Sequence, residues 1–154
     1  MAILFALIFY GVFSLFTFIG LPLISRWASR TDLAYGISKV LGLAVCAYVV
    51  WLGALLKVFD YQNRWLIRGV AGLLILAGVV ALLRVTARPA LKGIAGIELA
   101  SFALYGLFLL VRSTHPSAEG TEHFMDMALL SAAGKTHSFP FVDPWYAGKL
   151  VNYY

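Results

Sequence analysis

Four long apolar runs, separated by short charged or turn-rich stretches, decide what this chain can fold into. The first 25 residues carry no charged side chain, and Arg26 is the first one met. A second run, 40–56, lies between Lys39 and Lys57. A third lies between Arg68 and Arg84 and takes in Trp65 and Ile67 at its edge, and a fourth, 93–111, contains Glu98. About 20 apolar residues in a helix cross the hydrocarbon core of a bilayer. Hydrophobic residues make up 62% of the 154 and charged ones 12%, against roughly 25% charged in a soluble domain. Lipid must therefore solvate much of this surface. The expected class is an all-α integral membrane protein with four transmembrane helices at about 2–25, 37–58, 65–83 and 93–111, so that 1–111 forms one membrane region. The remainder, 112–154, is expected to hold a short interfacial helix at about 121–133 and an aromatic, proline-rich outer loop.

The charges fit that layout. The net charge is +5, but the basic residues flank apolar runs and form no stretch interleaved with aromatics, which argues against nucleic acid as a partner. Arg26, Arg30 and Lys39 make the first loop basic, and Arg84, Arg88 and Lys92 make the third basic. Basic loops favour the cytoplasmic side. The second loop, with Lys57, Arg64, Arg68 and Asp60, weakens the contrast. The expected location is the plasma membrane, with the N-terminus and the 112–154 segment on the outer face. Lys39 and Lys57 read as snorkelling anchors at the ends of the second span. A cleaved signal peptide is disfavoured, because no basic residue precedes the first run and the run exceeds the usual length of an apolar signal core. Gly69, Gly72 and Gly78 suggest close helix packing in the third span. The single Cys46 cannot form an internal disulfide.

Candidate chemistry lies in two places. Glu98 sits inside the fourth span, where a carboxylate is costly unless it is paired or faces a polar cavity. Tyr105 lies two turns along on the same helix face. The second place is the tail. Thr121 suits a helix N-cap and Gly134 a helix stop, with Phe124, Met127, Ala128 and Ser131 on one side and Met125, Leu129 and Ala132 widening the apolar surface. Glu122 and Asp126, four residues apart, share a helix face. They can share a metal or hold a proton, or they can be ordinary acids in the first turn of a helix. His123 beside them can complete a divalent-metal site, although no spacing matches a specific zinc motif. Asp143 before Pro144 fits a turn-starting carboxylate. Trp145, Tyr146, Tyr153 and Tyr154 suit either an aromatic belt at headgroup level or a sugar or lipid-phosphate pocket. Arg112 can anchor the helix end or meet an anionic headgroup.

The tail also carries a resemblance. The run Glu122-His-Phe-Met-Asp126-Met-Ala-Leu-Leu, then Phe139-Pro-Phe-Val-Asp-Pro-Trp-Tyr-Ala-Gly148 and Asn152-Tyr-Tyr, resembles the YYY membrane-protein family. Tyr35-Gly-Ile-Ser-Lys39-Val-Leu-Gly42 extends the likeness upstream. Departures fall at His123, where lysine is expected, at Lys149, and at the missing third tyrosine. Family members continue with further spans, so the resemblance implies an N-terminal portion of a longer protein. It also implies the layout of C-class glycosyltransferases, which use polyprenyl-phosphate-linked sugars. Under that layout Asp126 or Glu122 deprotonates the acceptor hydroxyl or orients a metal. Asp143, Trp145, Tyr146, Asn152, Tyr153, Tyr154 and Arg112 then bind substrate. Two other readings stand beside this one. The first is a non-catalytic subunit packing against other membrane subunits, and the second is a transporter fragment with Glu98 as ion or proton site.

Overall fold

The computed structural model describes residues 2–25, 27, 31–84, 91–114, 121–145 and 148–151, the side chains of Ala2, Thr31, Thr121, Glu122 and His123 excepted. Among the described residues the chain is helical and contains no strand. The helices are α1 (Ala2–Leu15), α2 (Thr17–Ile24), α3 (Thr31–Leu55), α4 (Arg64–Leu82), α5 (Leu91–Thr114) and α6 (Thr121–Lys135). Four helical stretches are long and apolar enough to cross a membrane: Ile3–Ile24, Asp32–Leu55, Arg64–Leu82 and Leu91–Thr114. This is an all-α membrane protein whose exposed apolar faces contact lipid. Four crossings leave the N-terminus, the α3–α4 connection and α6 at one end of the bundle.

The first crossing is broken. At Phe16 the backbone turns through a tighter bond, with Phe16 N–H donating to the Phe13 carbonyl at 3.2 Å, and α2 starts at Thr17. Pro22 lies inside α2 and supplies no N–H to the carbonyl four residues back, that of Phe18. Gly78 of α4 is packed against this same Phe18 carbonyl, where a Cβ would have no room. Gly20 of α2 meets the Ser38 carbonyl of α3 in the same way, and Gly42 of α3 meets the Phe16 carbonyl. In lipid, helices gain nothing from hiding apolar surface from water, and small residues that permit close backbone approach drive packing instead. The core therefore gathers between α2, where Thr17, Ile19, Gly20, Leu21 and Pro22 are buried, and the facing side of α3, where Ser38, Cys46, Val50 and Ala54 are buried. Of the three glycines expected to pack the third span, only Gly78 does so. Gly69 and Gly72 have open space where a Cβ would stand.

The α3–α4 connection is built by local bonds. Lys57 adopts φ 55°, Val58 N–H reaches the Gly53 carbonyl at 2.9 Å, and Lys57 N–H reaches that of Ala54 at 3.2 Å. This pair of bonds closes α3 in a Schellman cap. The Asn63 side chain then accepts from Leu66 N–H at 3.1 Å and starts α4.

Beyond α5, helix α6 runs through Gly134 to Lys135. Its strongly exposed residues are Phe124, Met127 and Leu130, while Ala128, Leu129, Ala132 and Ala133 are half-buried. Of the apolar surface expected from sequence, Ala128, Leu129 and Ala132 are thus the half-buried part, and Phe124, Met125, Met127 and Ser131 are exposed. After α6 the chain folds back on itself. Val151 N–H donates to the Phe141 carbonyl at 2.8 Å and Asp143 N–H to that of Lys149 at 2.9 Å. Gly148 occupies the left-handed region, φ 79°, that this reversal requires.

Candidate functional site

The best-built polar cluster lies inside the bundle. Lys39 stands eight residues past the start of α3, about 12 Å along its axis at ~1.5 Å per residue. Its side chain is 3% exposed and that of Glu98 30%. The ammonium reaches both carboxylate oxygens at 2.7 Å. Tyr10 donates its hydroxyl to Glu98 Oε2 at 2.8 Å, and Tyr35 donates to Oε1. Lys39 Nζ also donates to the Tyr10 hydroxyl at 3.3 Å and lies 5.0 Å from the centroid of that ring. Three helices, α1, α3 and α5, thus meet on one carboxylate. A buried charge is tolerated when it is paired and its remaining bonds are satisfied, and this quartet meets both conditions.

Glu98 was visible in the sequence as an intramembrane acid; its cation was not. Lys39 reads as an anchor only while the second span is taken to begin beside it. With α3 starting at Thr31 it lies two turns inside, on the same face as Tyr35 one turn earlier. The snorkelling assignment of Lys39 is therefore corrected. Tyr105 shares the Glu98 side of α5 but does not bond to it. Its hydroxyl donates to the Ala6 carbonyl at 3.3 Å, and its ring stacks on Phe9 at 6.4 Å. Phe102 meets Tyr10 edge-on at 5.2 Å.

The tail residues lie at the opposite end of α5. Asp126 is exposed on α6. The side chains of Glu122 and His123 lie outside the described residues, so the grouping of His123, Glu122 and Asp126 around a divalent metal does too. Among the described residues no cluster of three or more His, Cys, Asp or Glu is placed to hold a metal. Asp143 does start a turn, with Trp145 N–H donating to its Oδ1 at 2.8 Å. Trp145 is partly exposed at that turn. Tyr146, Asn152, Tyr153 and Tyr154 lie outside the described residues. Arg112 occupies the last turn of α5.

Contacts that the sequence did not announce fasten this tail to the α3–α4 connection. His137 Nδ1 meets Asp60 Oδ2 at 2.8 Å. Tyr61 N–H donates to the His137 carbonyl at 2.8 Å, and Gln62 Nε2 to that of Gly134 at 3.2 Å. The Tyr61 ring stands edge-on to Phe139 at 5.0 Å. Hydrogen bonds from His137 and from Gln62 N–H hold the Asp60 carboxyl below the usual carboxylate range. Between the end of α6 and the returning chain lies a groove of about 510 Å³, lined by Lys135, His137, Ser138, Pro140, Phe141 and Leu150 among others.

Fold and cluster define a helical membrane protein of four spans, with close glycine contacts between helices and an ion pair inside the bundle. Residues 45–154, well over half of the chain, match the model of a family of uncharacterized membrane proteins, DUF2298, and the chain belongs to that family. No curated protein and no solved structure matches it.

Proposed function

We propose that this chain is the amino-terminal portion of a membrane glycosyltransferase of the C-class layout, which takes its sugar from a polyprenyl-phosphate carrier at the outer face of the plasma membrane. The observation that supports this reading is the order of elements after the fourth span. Helix α5 ends at Thr114, α6 presents Asp126 to solvent, and the aromatic, proline-rich turn that follows is fastened to the α3–α4 connection at the same end of the bundle. An exposed carboxylate on such a helix can serve as general base once an acceptor hydroxyl comes within hydrogen-bond reach. Asp126, with Glu122 one turn away, takes the proton of the acceptor hydroxyl as its oxygen bonds to the anomeric carbon of the sugar. The carrier phosphate leaves with the electron pair of the broken glycosyl bond. Asp143, Trp145, Tyr146, Asn152, Tyr153 and Tyr154 would bind the sugar and acceptor, and Arg112 the phosphate.

The test is Asp126→Asn in the full-length protein, assayed for transfer from a lipid-linked sugar in membranes. Transfer should fall by roughly 100-fold or more, the usual contribution of a positioned base, at unchanged protein level. Undiminished transfer would reject the reading.

One observation favours a second reading, that of a subunit packing within a larger assembly. Helix α5 has no buried residue, so its apolar faces are open to further helices as well as to lipid. That reading expects silent acid-to-amide substitutions and co-purification with partner chains in mild detergent. A transported ion finds less support at Glu98, whose oxygens already hold Lys39, Tyr10 and Tyr35.

A further inference from the structure

Helix α5 poses a problem of adhesion. It carries α6 and the tail, yet none of its residues is buried. Apolar contact with another helix gains little over contact with lipid, so polar bonds and close approach must hold it. Its contacts follow one side. Gly93 lies against the Asp32 carboxylate, and Ile97 lies 3.8 Å from where a Cβ on Gly36 would stand. Glu98 enters the quartet, and Phe102 and Tyr105 meet the rings of Tyr10 and Phe9.

Within that line the Lys39–Glu98 contact joins opposite full charges. Each charge alone opposes placement inside a bilayer, and together they are neutral. The geometry also fixes register. A slip of one turn, ~5.4 Å along the axis, would pull the carboxylate away from an ammonium that now sits 2.7 Å from it. Turning α5 by one residue would swing Glu98 away from Tyr10 and Tyr35.

We infer that the Lys39–Glu98 pair, framed by the Tyr10 and Tyr35 hydroxyls, is the docking determinant that fixes α5, and the α6 arm it carries, onto α1 and α3. The pair acts as a lock. This role does not depend on any glycosyltransferase activity.

The experiment uses the whole chain in membranes, with Cys46→Ala to remove the native thiol and Gly36→Cys with Ile97→Cys to report on the α3–α5 contact. Oxidative cross-linking is read on the carbonate-resistant membrane fraction, so chains that fail to insert are not counted. The parent should cross-link efficiently, and Lys39→Met should lower the yield several-fold. Two further variants separate docking from the burial penalty of a lone charge. Lys39→Met with Glu98→Met removes both charges and should stay low. Lys39→Glu with Glu98→Lys restores an opposite pair and should recover most of the yield. Tyr35→Phe, a milder change, should give an intermediate value even if the charge variants insert poorly. A parental yield in Lys39→Met would overturn the inference. So would full recovery in the double methionine variant, because the apolar helices would then dock without the pair.

Discussion

Asp60 carries two contacts at the α3–α4 connection. One carboxylate oxygen accepts Gln62 N–H at 2.8 Å, which shapes the loop, and the other meets His137 and draws in the tail. Both contacts favour the ionised form, so the carboxyl titrates below its ordinary value of about 3.9. The sign follows from linkage. A group depressed in the docked state contributes above its ordinary value, and the contribution is lost as pH falls through the lower, docked value. Because the pair is exposed, the effect should be modest and sensitive to salt. Spin labels at Asn63 and Lys135 should report close approach that persists down to about pH 4 and fades below it. Asp60→Asn should weaken the approach at neutral pH and abolish the acid step. An unchanged acid step in that variant would show that another group governs the docking. None of this was legible in the sequence, since 77 residues separate the partners and neither residue type is unusual in a loop. Glu98 was legible because a carboxylate in an apolar run demands an explanation. Lys39 was missed because the apolar run begins only after it, while the helix begins eight residues before it. The Tyr35–Lys39 spacing, one helical turn, was the available signal.

At the scale of elements, α2 is where the helices come closest, and three glycines place a Cα against a carbonyl of the neighbouring helix. Gly20→Leu or Gly42→Leu must push α2 away from α3, since the obstruction is backbone and cannot rotate aside. Overpacking of this kind costs about 1–3 kcal/mol, and here it would show as a lower melting temperature of the detergent-solubilised protein. Gly69→Leu and Gly72→Leu, which meet nothing, should leave the melt within error. If all four variants melt alike, the α2–α3–α4 packing described above is wrong. The fold class was readable because run length and the scarcity of charge are dictated by bilayer thickness. Which glycine faces a helix was not readable, because hydropathy carries no rotational information in a segment that is apolar all round. Pro22 was the usable cue: it withholds a donor from Phe18, and the freed carbonyl marks the place where Gly78 approaches.

At the scale of the whole molecule, withdrawing Lys39 into the bundle changes the charge balance that orients the chain. In sequence, the connections after the first and third spans carry Arg26 and Arg30, against Asp32, together with Arg84, Arg88 and Lys92. The segments on the other side of the spans carry Lys57, Arg64, Arg68 and Arg112, against Asp60. These lie within the roughly 20 residues of a span over which such charges count. The tail adds Lys135 and Lys149 farther out, with Glu119, Glu122, Asp126 and Asp143. Orientation follows basic residues in short loops, with acids contributing little. The preference for a cytoplasmic α4–α5 connection is therefore narrow and leans on Arg84, Arg88 and Lys92. The proposed function needs that preference to hold, because it puts Asp126 on the outer face where the lipid-linked sugar would be met. Single cysteines at positions 88 and 135, in a Cys46→Ala background, test it with a membrane-impermeant maleimide on intact cells. Lys135→Cys should label from outside, and Arg88→Cys only after the membrane is opened. Changing Arg84, Arg88 and Lys92 together to Gln should then produce a mixed population, with Lys135→Cys labelled on part of the chains. Labelling of position 88 alone in intact cells would place α6 in the cytoplasm. The sugar-transfer reading would then lose its donor side, while the Lys39–Glu98 lock, which lies within the bundle, would stand unaffected by the reversal.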